Sequence, residues 1–300
     1  MERTDKSIFK FYNTKKMSFF VIRGKKYNIK QFDGGNNQGF INFDKNKIGK
    51  VRLLSEKRKV NKGLDTEDYS ENPYREIEIH KECNKIIKSK ITTNLVQFYD
   101  YHIYGDKIVL IMEKYDNNLG ELLDKLTFNQ LQSVFFQIFF TFIILQDKLG
   151  FYQGDFNETN ILYKRIPKTK KYFHYVYNGK KYRVPNEGYK IAVSDYGNAI
   201  IQKFELAKYE KDYYPINLSK RIELYEILLL LLEFIQKVPH DINDENFQNK
   251  SNKIEILNNI IFDNVKFQLL NNFYTIYDKC TKVANQNKLL EQVFDDYRVD

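Results

Sequence analysis

Gly150-Phe-Tyr-Gln-Gly-Asp155-Phe-Asn-Glu-Thr-Asn160-Ile-Leu-Tyr163 carries the most information in the chain. A long apolar segment, Asn129 to Lys148, precedes it and reads as a helix stopped at Gly150. A short apolar run, Ile161 to Tyr163, follows it and reads as a strand. Between them lies a polar turn bearing one carboxylate, Asp155, and one amide, Asn160. A turn of that length brings both side chains into one cleft.

Working outward, Lys190-Ile-Ala-Val-Ser-Asp195-Tyr-Gly197-Asn repeats the theme, an apolar strand delivering an acid at its end. Gly197 allows the backbone to turn sharply just beyond it. Near the start, strands at Phe19 to Ile22 and Tyr27 to Phe32 lead into Gly34-Gly-Asn-Asn-Gln-Gly39-Phe-Ile41 and then Lys47-Ile-Gly-Lys50. That is a strand, a glycine loop and a hairpin. Pro73 suits a first helical turn, and the helix after it bears Glu76, Glu78 and Glu82. Leu95 to Tyr104 and Lys107 to Met112 form a further strand pair, after which helical patterns dominate: Leu119 to Leu126, Ser219 to Gln236 and much of 251–290. Strands first and helices later define an α+β arrangement with its boundary near Lys114.

In this order the motifs resemble those of the protein kinase superfamily, from about Tyr27 to Tyr225. The resemblance implies a bilobal fold in a single domain, 1–300, with a strand-rich N-lobe (1–114) and a helical C-lobe (115–300). Asp155 then stands for the catalytic-loop Asp that orients the attacking hydroxyl, and Asn160 and Asp195 for the Mg²⁺ ligands. Gly34, Gly35, Asn36, Gly39 and Ile41 match the phosphate-covering loop, with Asn36 in place of its middle glycine. Lys50 corresponds to the phosphate-anchoring lysine and Glu76, preferred over Glu78 and Glu82, to its helix partner. Met112 takes the gatekeeper place, the backbone of Glu113 to Tyr115 the adenine hinge, and Glu223 the acid bracing the catalytic loop. ATP and Mg²⁺ are the implied cofactors and protein hydroxyls, Ser or Thr, the implied acceptors. The insertion 164–190 looks like that of kinases encoded by large cytoplasmic DNA viruses, poxvirus-like or mimivirus-like.

The pattern is broken at three places. Gln153-Gly154 stands where the family has His-Arg, so no pocket for an activation-loop phosphate is expected and activity should not depend on one. Asn157 replaces a lysine, and no Ala-Pro-Glu follows Asp195. Two rival readings therefore stay open: a small-molecule phosphotransferase, suggested by Gly154-Asp155, and a pseudokinase acting as a binding module.

Composition sets the remaining bounds. Of the net +9, residues 1–63 contribute +12 (17 Lys+Arg against 5 Asp+Glu), leaving −3 for the rest. That basic end could meet nucleic acid or an anionic membrane, or be a solvated face. The insertion, with eight Lys+Arg and no acid over 164–183, could bind nucleic acid by charge and aromatic stacking, or be a solvated hairpin. Two distant cysteines, Cys83 and Cys280, suggest neither disulfides nor zinc, hence an intracellular protein. The apolar stretches Val134 to Leu145 and Ile227 to Ile235 read as too short to span a bilayer, so no transmembrane segment is expected. The N-terminus has no apolar leader pattern, and a monomer is the expected state.

Overall fold

The computed structural model describes residues 9–13, 18–22, 25–31, 39–54, 73–203, 216–238, 247–259 and 286–299. Gly34, Gly35 and Asn36 lie outside them, as does Cys280.

Seven strands of the first part form one antiparallel sheet: β1 (Phe9–Asn13), β2 (Ser18–Ile22), β3 (Lys25–Gln31), β4 (Gly39–Asn42), β5 (Lys47–Leu53), β6 (Phe98–Tyr104) and β7 (Lys107–Glu113). Their order is β1-β2-β3-β4-β5-β7-β6, so β5 lies between β4 and β7. Lys50 is opposite Phe40 on β4 and Leu110 on β7. Helix α1 (Pro73–Lys88) opens on Pro73, which lacks an N–H where the first turn needs none, and buries Ile77, Ile79, Cys83 and Ile86. Ile79, Cys83 and Ile86 keep the three-to-four spacing of one apolar face, and Ile77 packs into a second cluster with Phe98 and Leu110.

Beyond Lys114 helices take over. The expected helix over Leu119 to Leu126 is two short 3-10 turns, Leu119–Glu121 and Leu123–Lys125. Helix α2 (Phe128–Leu149) starts on a reciprocal cap, Gln130 N donating to Thr127 Oγ1 at 3.4 Å and Thr127 N to Gln130 Oε1 at 3.0 Å. It stops at Gly150, whose φ of 62° only glycine adopts cheaply. The helix is apolar on nearly every side because it is the centre of the core, with Phe135, Phe136, Phe139, Phe140 and Phe142 fully buried. Extended by Phe128, Leu131 and Leu149, it is long and apolar enough to cross a membrane, contrary to the length expected for Val134 to Leu145; 89% of its apolar window is buried inside the protein. Helices α3 (Ile216–Lys237), α4 (Phe247–Asn258) and α5 (Gln286–Phe294) follow among the described residues.

Two three-stranded sheets attach to α2. Strands β8 (Asn117–Asn118), β9 (Ile161–Arg165) and β12 (Tyr189–Val193) form one, and β10 (Tyr172–Tyr177), β11 (Lys180–Pro185) and β13 (Arg298–Val299) the other. The insertion is thus a hairpin turning at Asn178-Gly179, both at positive φ (49° and 78°), the backbone a two-residue hairpin turn requires. Its period-two pattern buries Tyr175, Tyr177, Tyr182 and Val184 and leaves His174, Val176, Lys181 and Arg183 outward. The inner tyrosines meet Phe136 and Phe140 with ring centroids 4.7–6.3 Å apart. Gln137, fully buried in α2, ties the helix to β12 by accepting from Ile191 N (3.0 Å) and donating to Tyr189 O (3.1 Å).

Candidate active site

The antiparallel register of β9 and β12 builds one wall. Ile161 pairs with Val193, so the residue before β9, Asn160, and the turn after β12, Ser194 to Gly197, emerge at the same end. Ser194 donates to Asn160 O through both its N–H (3.0 Å) and its hydroxyl (2.7 Å). Just before Asn160, Asp155 is held by two amides: Asn160 Nδ2 donates to Asp155 O at 2.8 Å, and Asn157 Nδ2 to Asp155 Oδ1 at 3.3 Å. The Asp155 carboxylate is left exposed.

The opposite wall comes from β5 and α1. Lys50 Nζ lies 2.9 Å from Glu76 Oε1 and 2.8 Å from Asp195 Oδ1, a cation between two carboxylates. Lys50 is 4% exposed and Glu76 wholly buried, so neither charge could stand there unpaired. Glu78 and Glu82 instead face Lys81, Lys85 and Lys203 at the surface of α1. Burial pushes the Asp195 carboxyl up, but the Lys50 and Arg52 charges, the Lys50 hydrogen bond and the Gly197 N–H outweigh it and hold it below the ordinary carboxylate value. Asp195 adopts φ 56°, uncommon for a residue with a Cβ and typical of functional sites.

Two further residues that sequence reading passed over complete the wall. Arg52, 3% exposed, places Nε 3.3 Å from Glu76 Oε2 and Nη2 3.4 Å from Asp195 Oδ1. Its position two residues after Lys50 on one strand face was the available signal. Arg75, also 3% exposed, donates to Gly197 O at 2.9 Å. Gln153 Nε2 donates to Ser194 O (2.9 Å) and Asp195 O (2.8 Å), tying the Asp155 loop to the Asp195 turn.

Beneath the loop, Glu223 of α3 accepts from Gln153 N and, at 3.3 Å, from Gly154 N. Burial pushes its carboxyl up to about 8 against the pull of those N–H groups. Gly154 has φ 75°, and a Cβ there would lie 2.9 Å from Asn198 O, so the place that holds Arg in the family pattern admits only glycine in this backbone.

Of the remaining expected residues, Gly39 and Ile41 are buried on β4, with Gly39 opposite Val51. Met112 is buried near the end of β7, opposite Ile48 and Phe98. Glu113 accepts from Lys164 Nζ (2.7 Å) and the Tyr115 hydroxyl (3.2 Å), joining the segment after β7 to β9. Among the described residues no three His, Cys, Asp or Glu side chains cluster as metal ligands. The donor set available at the end of β9 and β12, one carboxylate and one amide whose NH₂ is turned to Asp155, fits a dication that takes one or two protein oxygens and completes its shell with phosphate and water.

No family model matches the chain. Two curated proteins do, and both bear the name "Putative serine/threonine-protein kinase". One, from Acanthamoeba polyphaga mimivirus, is 27% identical over 209 residues, 64% of this chain and 52% of its own length. The other, from frog virus 3 (isolate Goorha), is 35% identical over 88 residues, 29% of this chain and 10% of its own. The chain resembles kinases of large DNA viruses. The chain spans about half the length of the mimivirus relative and a tenth of the frog-virus one.

Proposed function

We propose that the protein is an ATP-dependent serine/threonine protein kinase with a bilobal kinase fold, the lobes meeting near Lys114. The observation that carries this reading is the Lys50–Glu76–Asp195 ion cluster, assembled from β5, α1 and the turn after β12 beside Asn160 and Asp155. A buried lysine locked to a helix glutamate is what anchoring of ATP phosphates requires, because an unpaired ammonium would lose its charge in that environment.

In this reading Asp195 and Asn160 would hold Mg²⁺, which when bound neutralises charge on the phosphate oxygens. Lys50 turns from Asp195 toward the α- and β-phosphates while Glu76 keeps it oriented. Gly39 and Ile41 of β4 lie beneath the nucleotide, at the end of the Gly34 to Gly39 run that the resemblance assigns to phosphate covering. Adenine stacks near Met112 and meets the backbone of Glu113 to Tyr115. The exposed Asp155 carboxylate orients the acceptor hydroxyl and takes its proton as the oxygen bonds to the γ-phosphorus and the phosphorus–oxygen bond to ADP breaks, ADP leaving with the electron pair. Asn157 and Asn160 fix that carboxylate by neutral hydrogen bonds, so its charge stays available.

An open groove of about 530 Å³ begins at the Asp155 loop and runs along α3, lined by Phe156, Asn157, Glu158, Leu229, Leu230 and Glu233 among others. A surface groove of that kind accommodates an extended chain, which favours a protein acceptor over a small molecule. The test is transfer of labelled phosphate from ATP by the pure protein to a panel of acidic and basic proteins beside aminoglycosides and choline. Labelling of Ser or Thr in proteins is expected; labelling confined to small molecules would replace this reading.

A further inference from the structure

Three side chains converge on the Asp195 to Gly197 turn without any need for a ligand. Gln153 fixes the carbonyls of Ser194 and Asp195 from the side of the Asp155 loop. Arg75 fixes the carbonyl of Gly197 from α1. Arg52 reaches the turn from β5, its guanidinium against the Gly197 backbone so closely that a Cβ on Gly197 would lie 3.0 Å from Nη1. The same guanidinium spans Glu76 of α1 at 3.3 Å and Asp195 at 3.4 Å.

These contacts explain how a left-handed Asp195 persists. A backbone in that region costs on the order of 1–3 kcal/mol and survives only where its surroundings over-determine it. Lys50 alone satisfies one oxygen of each carboxylate. Arg52 reaches the second oxygen of Glu76 and thereby binds α1, β5 and the turn into one unit. A guanidinium suits the task, being permanently charged, with Nη2 donating to Asp195 Oδ1 while its charge stands 3.3 Å from the second oxygen of Glu76. At 3% exposure it is also shielded from screening by salt.

We propose that Arg52 is a positioning residue that, with Arg75, keeps the Asp195 turn docked on α1 and β5 through permanent cations, so that the candidate site is assembled without a phosphate added elsewhere on the chain. Its functional meaning rests on the kinase reading of Asp195; its structural content does not. Arg52 and Arg75 take the place of the arginine missing at Gly154, working from the strand and helix side of the turn instead of from the catalytic loop.

The test is hydrogen exchange by mass spectrometry on the full chain, free of nucleotide and metal, for wild type, Arg52→Met, Arg52→Lys and Arg75→Met. In Arg52→Met and Arg75→Met the amides of 194–197 and of the first turns of α1 should exchange faster by about tenfold, while those of α2 keep wild-type protection. Arg52→Lys, which keeps the cation, should exchange more slowly than Arg52→Met. With ATP, kcat of Arg52→Met should fall by about tenfold or more with KM for ATP changed far less, the signature of lost alignment and not of lost binding. If Arg52→Met unfolds, α2 loses protection as well, and Arg75→Met, which grips the other end of the turn, decides. Exchange of 194–197 within about twofold of wild type in a folded Arg52→Met or Arg75→Met would overturn the inference. Wild type that transfers no phosphate, beside accelerated exchange in Arg52→Met, would overturn the kinase reading and leave this one standing.

Discussion

Lys50 and Asp195 are 145 residues apart in sequence and 2.8 Å apart in space. Each is charged and largely enclosed, and their contact, with Glu76 on the other side of the ammonium, joins the strand-rich part of the chain to the helical part. A ligand that draws Lys50 away must offer it an equal anion, and Asp195 an equal cation. Phosphate and Mg²⁺ together do so, which predicts that ATP and Mg²⁺ raise the melting temperature jointly, by far more than either alone. Calorimetry with each component and with both checks this.

Gln153 is predicted to couple the two loops through its two hydrogen bonds to Ser194 O and Asp195 O. Gln153→Leu leaves both buried carbonyls short of a donor and should cost about 1–3 kcal/mol in unfolding free energy. Gln153→His, able to donate one such bond, should recover part of it. Urea unfolding of the three proteins at one pH makes the comparison.

Gly154 gives a third expectation. Its φ of 75° and the 2.9 Å approach to Asn198 O mean that any side chain strains the backbone. Gly154→Ala should lower stability by about 1–2 kcal/mol. Gly154→Arg, which would make the sequence more like the family pattern, should be no more stable and less active than wild type. Thermal melts and transfer rates measure both.

Two buried groups give pH dependences of opposite sign. Burial lowers His80 from 6.5 to about 4, against the pull of Glu76, so the folded protein keeps it neutral between stacked Phe98 and edge-on Tyr196. The unfolded chain binds that proton first, so stability present above pH 6.5 is lost as pH falls toward about 4, by up to ~3 kcal/mol. Glu223 is raised by burial from 4.5 to about 8, so the folded state holds a proton the unfolded state has released. Its contribution is present in full below pH 4.5 and is lost as pH rises through about 8. Accordingly His80→Phe should flatten the acid side of the stability curve, and Glu223→Gln, which keeps an acceptor for Gln153 N and Gly154 N, the alkaline side. Denaturant midpoints across this pH range measure both effects.

Much of this arrangement could be read from the chain because its elements are locally encoded. Pro73 and Gly150 bound their helices as residues whose backbone suits little else. The two acid-bearing segments, 150–163 and 189–197, each announce a turn beside an apolar strand. What was not legible depends on tertiary enclosure. Arg52 reads as a solvated strand residue until α1 and the Asp195 turn close over it, and Gln153 as a mere departure from a pattern until its amide meets two carbonyls. The basic insertion reads as a nucleic-acid contact or a solvated hairpin; the hairpin is there, but the inward face of Tyr175, Tyr177 and Tyr182 is plain only once Asn178-Gly179 is taken as its two-residue turn. The extent of α2 was legible to within a residue at each end, but its apolar run reads as shorter because Gln and Thr interrupt it, yet Gln137 and Thr141 are buried with partners of their own.

The central claim is that Lys50, Asp155 and Asp195 form a site that transfers phosphate from ATP. Single-turnover transfer of labelled γ-phosphate to protein by wild type, Lys50→Met, Asp155→Asn and Asp195→Asn tests it most directly, with folding of each variant verified by its melt. The account predicts transfer by wild type and a loss of about 10²-fold or more in every variant. Equal labelling by wild type and the three variants would contradict it.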